Sequence, residues 1–228
     1  SEGPLPCVTL AGGLTLTLLS PYRAGLERLR DAWEKECDEA GLVPGRSRAR
    51  DVTSRSPGKK PPRARKPDVS ALLDVPFTQD TAEANGSSIA FLAEFDGRRA
   101  LFASDAYPSV LVESFERWMS AAGLSAPVHL DAFKVSHHGS RANTTWQLLY
   151  RVACERYLFS TDGSVFDHPD DECVARVIAH GGDSPELIFN YRSPRTERWG
   201  EPELTRAHGH RVVYPQREGD SVRVELAP

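Results

Sequence analysis

Four side chains in this sequence have the types and setting for chemistry on a charged substrate: Asp105, the adjacent pair His137 and His138, and His168. A carboxylate with imidazoles is the donor set that suits zinc or a similar divalent ion. Imidazoles can also contact phosphate and move protons. Asp105 closes the run "RRALFASD", the doublet lies in "FKVSHHGS", and His168 lies in "STDGSVFDHPDD". A histidine doublet alone is more often a surface or satisfied core feature than a functional one, so its neighbours decide its meaning. Each of the three motifs follows an apolar stretch of strand character. All three therefore fall where strands end, and in layered α/β folds the loops at the carboxyl ends of strands gather on one edge and build sites.

The elements that must hold these groups can be read along the chain. The opening "PCVTLAGGLTLTLLSP" reads as two short strands around a Gly-Gly turn, followed by an amphipathic helix with Leu26, Leu29, Trp33 and Cys37 at spacings of three and four. Strands are expected at 88–95 and 99–103 around Asp96-Gly97, a strong hairpin signal. A helix follows with Val112, Phe115 and Met119 on one face, then a strand at "LDAFKVS" and a helix around "TTWQLLYRVACE". "RYLFST" reads as a strand, and "PDDECVARVIAHG" as a helix whose first acids suit its N-terminal dipole. "ELIFNY", "HRVVYP" and "SVRVEL" read as closing strands. This alternation predicts a mixed α/β layered fold.

The bulk numbers narrow the function classes. Hydrophobic content of 39% with 26% charged residues is that of an ordinary globular chain, and 228 residues can bury a substantial core. A net charge of −4 argues against a uniformly basic nucleic-acid binder but leaves room for a local basic patch. Such a patch lies between the first helix and the next ordered segment: Arg46, Arg48, Arg50, Arg55, Lys59, Lys60, Arg63, Arg65 and Lys66 stand against the single acid Asp51. Proline and glycine punctuate this segment and apolar residues are scarce, which predicts a flexible basic loop over 44–68. It reads either as a solvated linker or as a nucleic-acid contact, and it is also an open target for a trypsin-like protease. No apolar run approaches a membrane span. The four cysteines are widely spaced with no CxxC pair, which speaks against cysteine-ligated zinc and for reduced thiols in a cytoplasmic protein.

The order "NGSSIAF…GRRALFASDA…FKVSHHGS…DHP" resembles the second half of the metallo-β-lactamase fold, and is most similar to the hydrolase domain of ComEC-type DNA-uptake proteins. The resemblance covers about residues 85–190. It implies the C-terminal half of an αββα sandwich, with residues 1–43 as a strand pair and helix of the same fold and 69–228 as the rest. It also implies two divalent metal ions, zinc or manganese, with Asp105 as the bridging carboxylate and His168 as the late histidine ligand. His138 would contact the scissile phosphate, with His137 as its support or an alternative ligand.

The family's early His-x-His-x-Asp-His motif has no counterpart here. His208 and His210 have its first spacing, but Arg211-Val212 follows. They are read as surface or strand-end residues, and His129 and His180 as structural. The expectation is a nuclease or phosphodiesterase acting on DNA or RNA, whose partner is the N-terminal half of the same gene product. The missing motif and the opening without methionine suggest a processed fragment, with an activating protease as a further partner. A metal-free scaffold or regulatory subunit of the same fold is the alternative. Lys134, near the histidine loop, is read as solvent-facing with a secondary role toward phosphate.

Overall fold

A computed structural model describes residues 3–43, 66–217 and 219–226. The chain begins with β1 (Cys7–Thr9) and β2 (Thr15–Ser20), antiparallel and joined through Gly12 and Gly13 at φ 95° and 94°. Helix α1 (Arg23–Glu39) follows as predicted. Its N-terminal turn sits so close to the next helices that a Cβ on Gly25 would lie 2.5 Å from the Gly86 carbonyl oxygen. The basic positions Arg46, Arg48, Arg50, Lys59, Lys60, Arg63 and Arg65 lie outside the described residues. Order resumes at α2 (Val69–Leu73), where the Asp68 carboxylate accepts from the Ala71 N–H at 3.1 Å, and at α3 (Glu83–Gly86).

The hairpin β3 (Ala90–Phe95) and β4 (Arg98–Phe102) turns through Asp96 and Gly97, both at positive φ as a tight primed turn requires. Helix α4 (Pro108–Ala121) starts on a proline at its first turn and buries Leu111, Phe115, Trp118 and Met119 on one stripe. Next come β5 (Val128–Leu130), β6 (Ala132–Lys134), a tight turn at Ser136–Gly139, α5 (Trp146–Leu149), β7 (Val152–Cys154) and β8 (Arg156–Phe159). Helix α6 (Asp171–His180), β9 (Glu186–Phe189), α7 (Pro194–Glu197), a 3₁₀ turn at Arg198–Gly200, α8 (Pro202–His208) and β10 (Arg211–Val213) complete the chain.

Among the described residues eight strands form one mixed sheet in the order β1-β2-β3-β4-β6-β8-β9-β10. The pairs from β1 to β4 are antiparallel, and those from β4 to β10 are parallel. One face of the parallel strands is packed as a continuous row: Leu101, Phe133, Tyr157 and Leu187, lateral neighbours across β4, β6, β8 and β9, and Phe189 two residues on have no exposed surface. Each such side chain contributes about 1.5–3 kcal/mol by its burial. The fold is therefore α/β, a large mixed sheet with packed helices, as the alternation predicts. Residues 3–43 join it through the β2–β3 ladder, through the buried Leu19, whose carbonyl accepts from Ser114 Oγ at 2.6 Å, and through the Arg28–Glu83 ion pair at 3.0 Å.

Two elements differ from the sequence reading. The segment expected as one helix around 144–155 makes a single helical turn and then becomes β7, which pairs in parallel with β5 as a separate two-stranded sheet. Both strands bury their first and third residues, so pairing wins over the helical pattern. Residues 221–226 form no strand. All four cysteines are free thiols, and among the described residues no helix is long and apolar enough to cross a membrane.

Candidate functional site

The carboxyl ends of β4, β6, β8 and β9 open onto a cleft of about 900 Å³ whose walls include Asp105, His137, His138, Ser160, His168 and Tyr191. All four chemistry-bearing residues singled out from the sequence thus meet in one place, delivered by the ends of neighbouring parallel strands. The His137 ring centroid lies 5.3 Å from that of His168 and 6.3 Å from that of His138.

The backbone that presents them is strained. Five non-glycine residues among those described have positive φ; one is Asp96 of the hairpin turn, and the other four are Ser104, His137, His138 and Asp167. Two are the histidines themselves, and the other two immediately precede Asp105 and His168. Such conformations cost on the order of 1–3 kcal/mol each and persist where the surroundings over-determine them. Here the surroundings are specific. The His137 N–H donates to the Ser104 carbonyl at 2.7 Å, tying the β6 loop to the β4 loop. The Asp170 N–H donates to the Gly139 carbonyl at 2.9 Å, tying the β6 loop to the segment after His168. Gly139, at φ 91°, lies so tightly against that segment that a Cβ would stand 2.7 Å from Pro169 Cβ and 2.9 Å from Phe159 Cδ1.

Each of the three imidazoles has its Nδ1 side turned to an acceptor. His137 Nδ1 lies 3.1 Å from Asn143 Oδ1 and 3.4 Å from Asp80 Oδ2. His138 Nδ1 donates to the Ser160 carbonyl at 2.6 Å. His168 Nδ1 is buried without a well-formed hydrogen bond but stands 3.5 Å from Asp170 Oδ2, at ion-pair distance. With Nδ1 engaged in His137 and His138, their Nε2 atoms are left for the cleft. Burial pushes the Asp80 carboxyl up, but hydrogen bonds from the Ala82 N–H, Asn143 and Asn85, with the nearby His137, outweigh it and hold it below the usual carboxylate range. Burial likewise pushes Asp170 up, and His168 and the Arg141 N–H together bring it below that range.

Asp80, Asn85, Asn143 and Asp170 are the residues that the sequence reading missed. Asp170, two residues past His168, is read from the sequence only as an acid suited to a helix start, and nothing around Asp80 marks it. Lys134 differs from expectation: its side chain is largely buried and Nζ donates to the Val135 carbonyl at 3.0 Å. Burial pushes its pKa down and the nearby Asp105 carboxylate partly restores it. His210 is not at the surface. It is buried, with Nε2 donating to the Trp199 carbonyl at 2.8 Å. His180 ends α6 as expected, and His129 is exposed beside Asp131.

Among the described residues no three His, Cys, Asp or Glu side chains converge as a group that could hold a metal ion. The donors present fit part of such a site. A carboxylate and imidazoles line one cleft, and acceptors behind the rings are what metal-ligating histidines require of their surroundings. A scan against protein-family models finds no match for this sequence, and searches of curated proteins and of solved structures return none.

Proposed function

We propose that this cleft is part of the active site of a metal-dependent hydrolase of the metallo-β-lactamase fold, acting on a phosphodiester of DNA or RNA. The observation that carries the reading is the convergence of Asp105, His137, His138 and His168 on one cleft with the backs of the imidazoles held. Asp105 and His168 would hold divalent ions, zinc or manganese, with further ligands supplied by the N-terminal half of the same gene product. When bound, such ions supply a water acidified toward neutral pH and offset charge on the phosphoryl group.

The chain's own residues do the rest. His138 is exposed on the wall and its Nδ1–H is held by the Ser160 carbonyl, so it would donate from Nε2 to a phosphate oxygen as the imidazolium, with both ring nitrogens protonated. Asp170 orients His168. Among the described residues the cleft lining contains the carboxylates Asp105 and Asp162 beside the imidazoles.

The test is metal content by mass spectrometry, together with hydrolysis of bis(p-nitrophenyl) phosphate and of oligonucleotides. Both are measured on the isolated chain and on the product extended upstream of Ser1. Stoichiometric divalent metal and hydrolysis in the extended product are expected. Neither form holding metal would refute the reading and leave a metal-free scaffold of the same fold.

A further inference from the structure

We infer that Asp80 and Asn143 are positioning residues that lock His137 as its Nδ1–H tautomer, so that the cleft receives the lone pair of Nε2. The argument follows from donor and acceptor inventories. Asn143 has no exposed surface, and the nitrogen end of its carboxamide lies 3.0 Å from Asp80 Oδ2, 3.2 Å from the Asp105 carbonyl and 3.5 Å from the Ala106 carbonyl. An ionised carboxylate and two carbonyls can only accept, so that end of the amide must be the NH₂ group. The oxygen end therefore faces His137 Nδ1 at 3.1 Å, and since it only accepts, the imidazole must donate. The Asp80 carboxylate, 3.4 Å from the same nitrogen, reinforces the choice.

Asp80 is in turn fixed. It takes the Ala82 N–H at 2.9 Å and the Asn85 amide at 2.7 Å, and its own N–H donates to the Ala142 carbonyl at 3.2 Å. It is held below the usual carboxylate range, which keeps it an acceptor at neutral pH. The opposite tautomer of His137 would set a ring lone pair against the two acceptor oxygens in a half-buried place, where the one donor in reach is the Asn85 amide at 3.5 Å, already given to Asp80 at 2.7 Å. His138 has no such frame: it is exposed and held by one backbone carbonyl. The two adjacent histidines are thus set differently, and Asn143 also ties the His137 ring to the Asp105 and Ala106 carbonyls.

The test uses the isolated chain, free of metal and labelled with ¹⁵N-histidine, in two-bond ¹H–¹⁵N correlation spectra at about pH 8, where imidazoles are neutral. His137 is expected to show a protonated Nδ1 and an unprotonated Nε2. Asp80→Asn, which keeps an acceptor oxygen, should retain that signature. Asp80→Ala combined with Asn143→Ala should lose it, with His137 moving to the mixed tautomers of an untethered ring while His138 stays unchanged as the control. An Nε2–H His137 in the unmodified chain, or a signature unmoved in the double variant, overturns the inference. Should the double variant not fold, the unmodified chain still decides the matter: a His137 Nδ1–H proton protected from solvent exchange supports the lock, and its absence overturns it. No turnover is measured, so a wrong tautomer would leave the hydrolase reading standing, and an inactive chain would leave the lock standing.

Discussion

Replacing Gly139 with alanine should cost far more than its single methyl group suggests. Two terms add. At φ 91° a Cβ meets the steric penalty of the left-handed region, about 1–2 kcal/mol. The same Cβ would stand 2.7 Å from Pro169 Cβ and 2.9 Å from Phe159 Cδ1, separations that real side chains do not tolerate. Overpacking of this kind costs about 1–3 kcal/mol, because Phe159 is a fully buried core ring and Pro169 is tied to the loop it faces. The total is about 2–5 kcal/mol, or a fall of roughly 4–20 °C in Tm for a chain of this size. Gly97→Ala is the matched control: its φ of 73° carries the first penalty, but nothing lies within 4 Å of its Cβ. Equilibrium denaturation of both variants, compared at equal m, isolates the packing term. If Gly139→Ala costs no more than Gly97→Ala, the histidine loop is not wedged against the His168 segment, and the account of how the cleft is held fails.

Asp105→Ala should abolish hydrolysis in the complete protein with the fold retained; full activity and full metal content in that variant would remove its assignment. His168→Ala should lower metal occupancy while His138→Ala lowers turnover by roughly 10²–10³; the reverse pattern, read by metal analysis and kinetics, would exchange their roles. Stability should rise as pH increases from about 5 to about 7 through His180 and His210. Both have folded pKa values lowered chiefly by burial, helped by Arg176 and by His208 respectively, so the unfolded chain binds more protons below about 6.5 and the stability they contribute is lost as pH falls. The slope is at most about 1.4 kcal/mol per pH unit for each histidine, and urea melts of His210→Phe, which removes one of the two groups, should show a shallower dependence.

Much of the frame is legible because local pattern and tertiary setting agree there. The Asp96-Gly97 turn, the stripes of α1 and α4, and the apolar runs of β6, β8 and β9 each call for the element that forms. The convergence of Asp105, His137, His138 and His168 follows from one rule about strand ends, without knowledge of the strand order. What was not legible depends on partners distant in sequence. Residues 152–154 become a strand because 128–130 lie beside them, and no local signal in either carries that. Lys134 turns its amine to the next residue's carbonyl rather than to water. His210 hides beneath Trp199. Asp80 illustrates the limit most clearly: its importance lies wholly in what folds against it, namely Asn85, Asn143 and His137.

The way residues 3–43 are fastened separates cutting the chain from taking it apart. Their hold on the remainder is non-covalent: five paired positions between β2 and β3, a buried Leu19, a hydroxyl–carbonyl bond from Ser114 and an ion pair across to Glu83. The covalent connection between 43 and 66 makes this pairing an event within one chain rather than between two. A break there alters no contact in the ladder, but it makes the assembly answer to dilution. A nicked sample should run on a sizing column as the intact chain does when concentrated, and shed its first strands and helix as it is diluted. In such a sample, cutting the chain and releasing the piece would be two separate events, the second set by concentration.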